Sequence, residues 1–194
     1  MKRIEKEIET RSYLSEEKYL EIVSDLLFNH EKMQTINMVN QYFDTDELSL
    51  KDQHITLRVR QTYHNSTLTL KCSSSKEEAV EISQYLSNHQ HIALVKHNHF
   101  PTGPVKLKLR SLGMVLSDIH YNSENKVRRF EIKKEDYILC LDKCVIRDTT
   151  TFNIEVEANT LAKANKVITD LAKKYNFEIS KEYESKSKRT LIKK

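Results

Sequence analysis

Four charged residues stand at every second position near the start of the chain: Glu5, Glu7, Glu9 and Arg11. On an extended strand this spacing puts all four side chains on one face, with neighbours about 7 Å apart. A row of carboxylates repels itself unless a cation neutralises it, and a divalent metal ion does so well. The pattern therefore favours an opening β-strand with a charged functional face. A solvated strand face and the charged first turn of a helix remain open alternatives.

Two later runs alternate in the same way and predict a β-hairpin. Residues 54–60 and 66–71 each place large apolar side chains on one face and polar side chains on the other. The polar face carries Arg58, Arg60 and Lys71, so it is cationic. An ordinary β-sandwich would leave such a face in solvent, and the alternation alone does not decide between that arrangement and an anion site.

The remaining patterns predict an α+β protein. Apolar residues at helical spacing follow the candidate N-caps Ser15 and Thr160. Further strands are predicted over 35–44, 79–86, 114–121, 126–133, 137–147 and 151–158. Residues 105–110 alternate like a strand, but Pro104 before them and Gly113 after them fit a helix equally well. No repeat or linker interrupts the chain, so residues 1–194 are predicted to form one domain.

Composition argues against several classes of function. The net charge is only +4 and no dense basic block precedes the tail, so we expect no nucleic-acid partner. Two glycines leave no Gly-rich phosphate loop, so any phosphate must be bound by side chains. Three cysteines without a CxxC pair predict reduced thiols in the cytoplasm. The sequence has neither a signal-peptide segment nor an apolar run that could span a membrane, so we expect no membrane partner.

Acidic and basic residues recur together at strand spacing. Glu155 and Glu157 form a second carboxylate pair, and Asp142 lies on the strand predicted before them. The bases are Arg11, Arg58, Arg60, Lys71, Arg129, Lys186 and Arg189. Acids alone would indicate a metal site, and bases alone would indicate an anion site. Both on one antiparallel sheet indicate a cavity that binds a polyanion together with its divalent metal ion.

The charged motifs follow one another in a fixed order along nearly the whole chain. They are ExExExR at 5–11, YFDT at 42–45, LRVR at 57–60, LTLK at 68–71, RFE at 129–131, LD at 141–142, EVE at 155–157 and SKSKR at 185–189. As an ordered set they resemble the signatures of the CYTH superfamily, the triphosphate tunnel metalloenzymes, and in particular its short bacterial members. That superfamily includes thiamine triphosphatases, inorganic triphosphatases and class IV adenylate cyclases.

The resemblance implies an eight-stranded antiparallel β-barrel that forms a tunnel, with flanking helices. It implies that Mg²⁺ or Mn²⁺ is bound by Glu7, Glu9, Glu155 and Glu157, with Asp142 and Glu5 as further candidates. The residues that match the triphosphate-binding positions are Arg11, Arg58, Arg60, Lys71, Arg129 and Lys186, with Arg189 less directly. We expect Glu7, Glu9 and Glu157 to be catalytic.

The activity implied is metal-dependent hydrolysis of inorganic triphosphate or of a related organic triphosphate, such as thiamine or nucleoside triphosphate. Two alternatives stay open: a class IV-type adenylate cyclase, and a module that binds triphosphate or polyphosphate without turning it over. Cyclisation needs a pocket for base and ribose, and no sequence feature clearly supplies one. We expect a small-molecule triphosphate as the partner of a monomer or homodimer.

Four positions depart from the family pattern or add to it. Arg11 stands where lysine is usual, which keeps the charge and changes the hydrogen-bond geometry. Val127 occupies a position where some inorganic triphosphatases carry a lysine thought to activate water, so water activation is left to metal and carboxylate. Cys140 and Cys144 share the strand parity of Asp142, so they either line the tunnel or pack as small buried side chains.

Overall fold

The chain forms a closed antiparallel barrel of eight strands, as predicted. The computed structural model describes residues 2–29, 31–75 and 78–193, with side chains from residue 7 onward. The strands are β1 (Lys2–Leu14), β2 (Met33–Asp44), β3 (Ile55–Thr62), β4 (Ser66–Ser73), β5 (Glu78–Leu86), β6 (His120–Lys133), β7 (Tyr137–Ile146) and β8 (Thr149–Ala158). Around the barrel they follow the order β1-β5-β4-β3-β2-β6-β7-β8.

Helices connect or follow the strands. They are α1 (Glu16–Phe28), α2 (Ser49–Asp52), α3 (Asn88–His97), α4 (Pro104–Ser111), α5 (Leu161–Tyr175) and α6 (Lys186–Thr190). The predicted caps are confirmed: Ser15 accepts a hydrogen bond from the Lys18 amide, and Thr160 accepts one from the Lys163 amide. No helix in the described ranges is long and apolar enough to cross a membrane.

The strand predicted over 114–121 is wrong. Residues 116–118 form a 3₁₀ turn, and β6 begins only at His120 and continues without a break to Lys133. The misleading alternation has a simple cause. Met114 and Leu116 lie against an apolar cluster while Val115 between them is exposed, so an irregular segment that covers a core reproduces the two-residue period of a strand.

The ambiguity at residues 105–110 resolves to the helix α4. Pro104 occupies its first turn, where the missing N–H costs nothing. Val105 and Leu109 are both fully buried, and their spacing of four places them on one face of a helix.

The chain divides into two compact units, which we describe separately. The first consists of residues 1–6, 38–125 and 185–194. In it, Leu57 lies opposite Leu70 and Val59 opposite Leu68 on β3 and β4. These side chains pack with Leu94 of α3 and with α4 in one apolar cluster. Since side chains alternate along a strand, the basic residues between them lie on the opposite face of the sheet.

The second unit consists of residues 7–37 and 126–184. Apolar side chains of β7 and β8, such as Leu141, Ile154 and Val156, pack with Ile22 of α1 and Ile168 of α5. The intervening residues of β7 and β8 lie on the other face, and the acidic residues are among them. In both units the apolar face of the sheet packs against helices, so the charged face is the one available for a functional site.

Candidate functional site

Two glutamates lie directly opposite each other in the second unit. The β1–β8 register pairs Glu9 with Glu157 and, two residues further along β1, Arg11 with Glu155. Residues opposed in this way have Cβ atoms about 4.5–5.5 Å apart, and like charges there repel. The charged face of β1 is therefore continued on β8. Glu9 and Glu157 form a repulsive pair, and Arg11 and Glu155 form an attractive pair. Carboxylate oxygens at this spacing suit a hard divalent cation.

Arg11 is held from several sides. Its guanidinium donates to Glu9 and lies 5.1 Å from the centre of the Tyr183 ring. Tyr183 in turn stacks on Tyr13, with ring centres 4.7 Å apart, and its hydroxyl donates to Asn153 at 3.3 Å. Burial lowers the pKa of Arg11, but the charges of Glu9 and Glu155 outweigh burial and hold the pKa above its ordinary value. Arg11 is therefore a fixed cation.

Arg129 forms charged contacts with two carboxylates of this unit. Its Nε and Nη2 atoms donate to the two carboxylate oxygens of Asp142, each at 2.7 Å, and Nη2 also reaches Glu155 at 2.6 Å. The β6–β7 register places Arg129 opposite Asp142, which is completely buried. Burial lowers the pKa of Arg129, but both carboxylates together hold it well above the ordinary value. A bidentate, charge-assisted pair of this kind fixes the geometry of all three groups.

In the first unit, the cationic face is organised by an acid that the sequence analysis did not single out. Glu81 on β5 accepts from Arg58 at 3.4 Å and lies 3.8 Å from the Lys71 ammonium. Lys71 is also the strand partner of Glu81. Among the described side chains, both cations therefore converge on the carboxylate of Glu81. The signal was present in the sequence, since Glu81 lies within the strand predicted over 79–86, but no motif marked it.

The C-terminal helix α6 presents Lys186 and Arg189 and belongs to the same unit. The Thr56 hydroxyl of β3 donates to Ser187 at 3.1 Å, and the Lys51 ammonium donates to the Lys188 carbonyl at 3.3 Å. These contacts hold α6 beside the β3 strand that carries Arg58 and Arg60.

Asp44 of the YFDT motif has a structural position. It is fully buried and accepts backbone N–H groups of Thr45, Leu50 and Lys51 at 2.8–3.0 Å. Burial raises its pKa, although these three donors act in the opposite direction. The carboxylate thus fixes the loop and short helix α2 between β2 and β3.

The two cysteines of β7 pack inside the protein. Cys140 and Cys144 are buried, and Val127 lies opposite Cys144 with 4 % of its surface exposed. Burial raises the pKa of the Cys140 thiol far above its ordinary value, even though Arg129 lowers it. A thiol that stays neutral is a poor nucleophile, so the packing interpretation fits the structure better.

The predicted metal ligands Glu7, Glu9, Asp142, Glu155 and Glu157 all belong to the second unit. Among the described side chains, no group of three or more His, Cys, Asp or Glu residues is already arranged as a metal site. Glu5 lies outside the side chains that the structure describes. The ligand set therefore stays a prediction, and the opposed carboxylates of Glu9 and Glu157 are the part whose donor chemistry fits the ion.

A closed barrel of eight antiparallel strands with rows of charged residues on the strand faces is the architecture expected for the family that the motifs resemble. A model of the CYTH domain matches residues 5–190. The chain belongs to the CYTH family.

The similar proteins are described with two kinds of activity. The chain is 30% identical over 152 residues to the "Putative triphosphatase YjbK" of Bacillus subtilis, a match that spans 78% of this chain and 77% of the relative. A solved structure from Bacillus halodurans, described as a putative adenylate cyclase, is 28% identical with a TM-score of 0.87, covering 96% of this chain and 97% of that one. A Hippeastrum protein, described as a putative adenylyl cyclase with a dominant triphosphatase activity, has a TM-score of 0.76. The match covers 96% of this chain and 93% of the Hippeastrum chain. At 18% identity it shows the fold alone.

Proposed function

We propose that this chain is a metal-dependent triphosphatase that hydrolyses inorganic triphosphate or a related organic triphosphate. The observation that carries the proposal is the opposition of Glu9 to Glu157, flanked by the fixed cations Arg11 and Arg129. Opposed carboxylates favour a divalent cation, and neighbouring guanidinium groups favour the phosphate oxygens that such a cation accompanies.

In this proposal the acids of β1 and β8 hold the metal ion. Glu7, Glu9, Glu155 and Glu157 supply carboxylate oxygens, and Asp142 and Glu5 are further candidates. Mg²⁺ or Mn²⁺, when bound, would neutralise phosphate charge and make a bound water more acidic. The proposed catalytic group is Glu7, Glu9 and Glu157, one of whose carboxylates would accept the proton of the attacking water. Val127 has no group that could do so, which leaves this role to the carboxylates.

The basic residues bind and orient the phosphate chain. The proposed set is Arg11, Arg58, Arg60, Lys71, Arg129, Lys186 and Arg189. Glu81 and Asp142 hold some of these cations in position before substrate arrives, so less conformational freedom is lost on binding. Cationic groups fixed in this way stabilise charge that develops on the transferring phosphoryl group.

Adenylate cyclisation is the second candidate, and one observation favours it: the 28% identical structure from Bacillus halodurans carries that description. A non-catalytic triphosphate-binding module is the third. We also propose a cytoplasmic location, because all three cysteines are free thiols. The proposed partner is a small-molecule triphosphate, bound by a monomer or homodimer.

The test incubates the protein with inorganic triphosphate, ATP or thiamine triphosphate, each with Mg²⁺, with Mn²⁺ or with a chelator, and resolves the products. We expect orthophosphate release that needs the metal, with inorganic triphosphate cleaved at least as fast as the organic substrates. Cyclic AMP and pyrophosphate from ATP would replace the hydrolase by a cyclase. Tight binding without any product would leave the binding module.

A matched pair of variants connects that activity to the basic face. Arg58→Ala should weaken triphosphate binding by about 2–3 kcal/mol, the scale of a charged hydrogen bond and its lost partner. Arg110→Ala removes an exposed arginine of α4 in the same unit and should leave binding unchanged. Equal losses in both variants would mean that only the overall charge matters.

A further inference from the structure

A chain of buried polar side chains in the first unit runs from Arg60 to the helix α6. The Arg60 Nε atom donates to Asn40 at 3.0 Å, and Asn40 donates to Asn125 at 3.0 Å. Asn125 donates to the Thr190 hydroxyl at 2.9 Å, and Thr190 donates to the Lys186 carbonyl at 2.6 Å. No motif of the sequence analysis included Asn40, Asn125 or Thr190.

The three linking side chains are almost inaccessible to solvent. Asn40, Asn125 and Thr190 are each 1% exposed. A buried amide without partners costs free energy, so such groups are retained where their hydrogen bonds are made. Tyr42, also 1% exposed, accepts a second hydrogen bond from Asn125 at 3.2 Å and completes its donor set.

The groups at the two ends of this series of hydrogen bonds fix which atom donates and which accepts at every step. A guanidinium has donors only, so Asn40 must turn its oxygen to Arg60 and its amide nitrogen to Asn125. A backbone carbonyl only accepts, so the Thr190 hydroxyl must donate to Lys186 and accept from Asn125. Neither asparagine can flip without breaking a bond at one end. The orientation of Arg60 and the closure of the α6 turn are therefore parts of one hydrogen-bonded arrangement.

This series of hydrogen bonds joins two segments that both carry residues of the proposed substrate-binding set. Asn40 is the strand partner of Arg60, while Thr190 is the last residue of the helix that begins with Lys186. The four joined side chains lie on four different elements, β3, β2, β6 and α6. In a buried arrangement of this kind, the loss of one member leaves its neighbour unpaired, so the position of each side chain depends on the next.

We propose that Asn40, Asn125 and Thr190 are positioning residues, which set the guanidinium of Arg60 and the basic helix α6 as one unit for binding a triphosphate chain. The proposal rests on the proposed function for its ligand. Its structural part, the coupling of Asn40 to α6, is independent of any activity.

The first experiment therefore needs no substrate. Hydrogen exchange is measured at the amides of residues 186–191 in the full-length protein, in wild type and in Asn40→Ala. We expect exchange about tenfold faster in Asn40→Ala, as for the loss of one buried hydrogen bond. Gln84→Ala is the matched control, since Gln84 is a buried amide of the same unit that bonds to Thr102 and Val105 instead. Exchange at wild-type rates in Asn40→Ala, or equal acceleration in Gln84→Ala, would overturn the proposal.

The second experiment measures the dissociation constant of inorganic triphosphate without metal. Thr190→Val removes the hydroxyl and keeps the size of the side chain, and Thr190→Ser keeps the hydroxyl. We expect Thr190→Val to weaken binding about tenfold and Thr190→Ser to restore it. In an Arg60→Ala background Thr190→Val should weaken binding less than it does in wild type, because only the helix α6 is then left to position.

Independent effects of Thr190→Val and Arg60→Ala, adding in free energy, would contradict positioning through Arg60. A wild-type protein that binds no triphosphate would instead contradict the proposed function. In that case the exchange measurement alone decides whether Asn40 is coupled to α6.

Discussion

Glu157 is exposed and lies opposite Glu9 in the register of β1 and β8. We expect Glu157→Gln to abolish metal-dependent hydrolysis while the metal-free protein melts at or above the wild-type temperature. Removing one of two opposed like charges relieves repulsion, so the fold should not suffer. Phosphate release and melting in a chelator check both parts. Glu17→Gln, an exposed change on α1, is the control and should alter neither. A large drop in melting temperature with activity retained would give Glu157 a structural role instead.

Asp142, unlike Glu157, should contribute strongly to the stability of the fold. It is completely buried, and both of its oxygens accept from Arg129. We expect Asp142→Asn to lower the free energy of unfolding by about 3–5 kcal/mol, because Arg129 would stay buried without the carboxylate that binds it through two hydrogen bonds. Urea denaturation measures this.

Asp136→Asn provides the comparison, since Asp136 makes an exposed ion pair with Lys163 and should contribute little. If Asp142→Asn kept wild-type stability, the Arg129 contacts would not be needed for the fold, and a role for Asp142 in metal binding alone would be favoured.

The helix α3 is joined to the sheet by a histidine. His91 contacts Gln41 of β2 at 2.6 Å and Ser66 of β4 at 3.1 Å through its two ring nitrogens. Gln41 in turn donates to Glu124 of β6 at 3.5 Å. Burial lowers the pKa of His91 below its ordinary value of 6.5. The helix is therefore attached through a neutral imidazole.

This attachment should be sensitive to acid. A lowered folded-state pKa means that the contribution of His91 to stability is present above the unfolded-state value and is lost as the pH falls below it. We expect the melting temperature to drop between about pH 7.5 and about pH 5.5 in wild type, and to drop less in His91→Gln. His89→Gln, an exposed change on the same helix, should behave as wild type. Identical pH profiles for all three proteins would contradict the prediction.

The whole chain should report its ligand through its stability. A ligand that binds only the folded state raises the melting temperature according to its concentration and affinity. We expect inorganic triphosphate to raise it more than pyrophosphate, and pyrophosphate more than orthophosphate, because a longer phosphate chain can contact more of the basic side chains. The measurement is thermal unfolding at matched ligand concentration and ionic strength. Equal shifts for orthophosphate and triphosphate would indicate separate single-phosphate sites.

Much of the architecture could be predicted from local patterns. The hairpin of β3 and β4, the capped helices α1 and α5 and the charged strands β1 and β8 each follow from a period and a cap that a short window of sequence contains. The run at 114–121 was mispredicted for the same reason, since a local period cannot tell a strand from a loop that covers a core.

Sequence by itself therefore determined which faces are apolar, which are charged and which family the motifs resemble. Only the tertiary structure decided the pairs: Glu9 with Glu157, Arg129 with Asp142, Glu81 between two cations, and Tyr183 over Arg11. It also decided that Asn40, Asn125 and Thr190 are joined. The physical reason is that charge and period are properties of neighbouring residues, whereas strand register and buried hydrogen bonds join residues that the sequence places far apart.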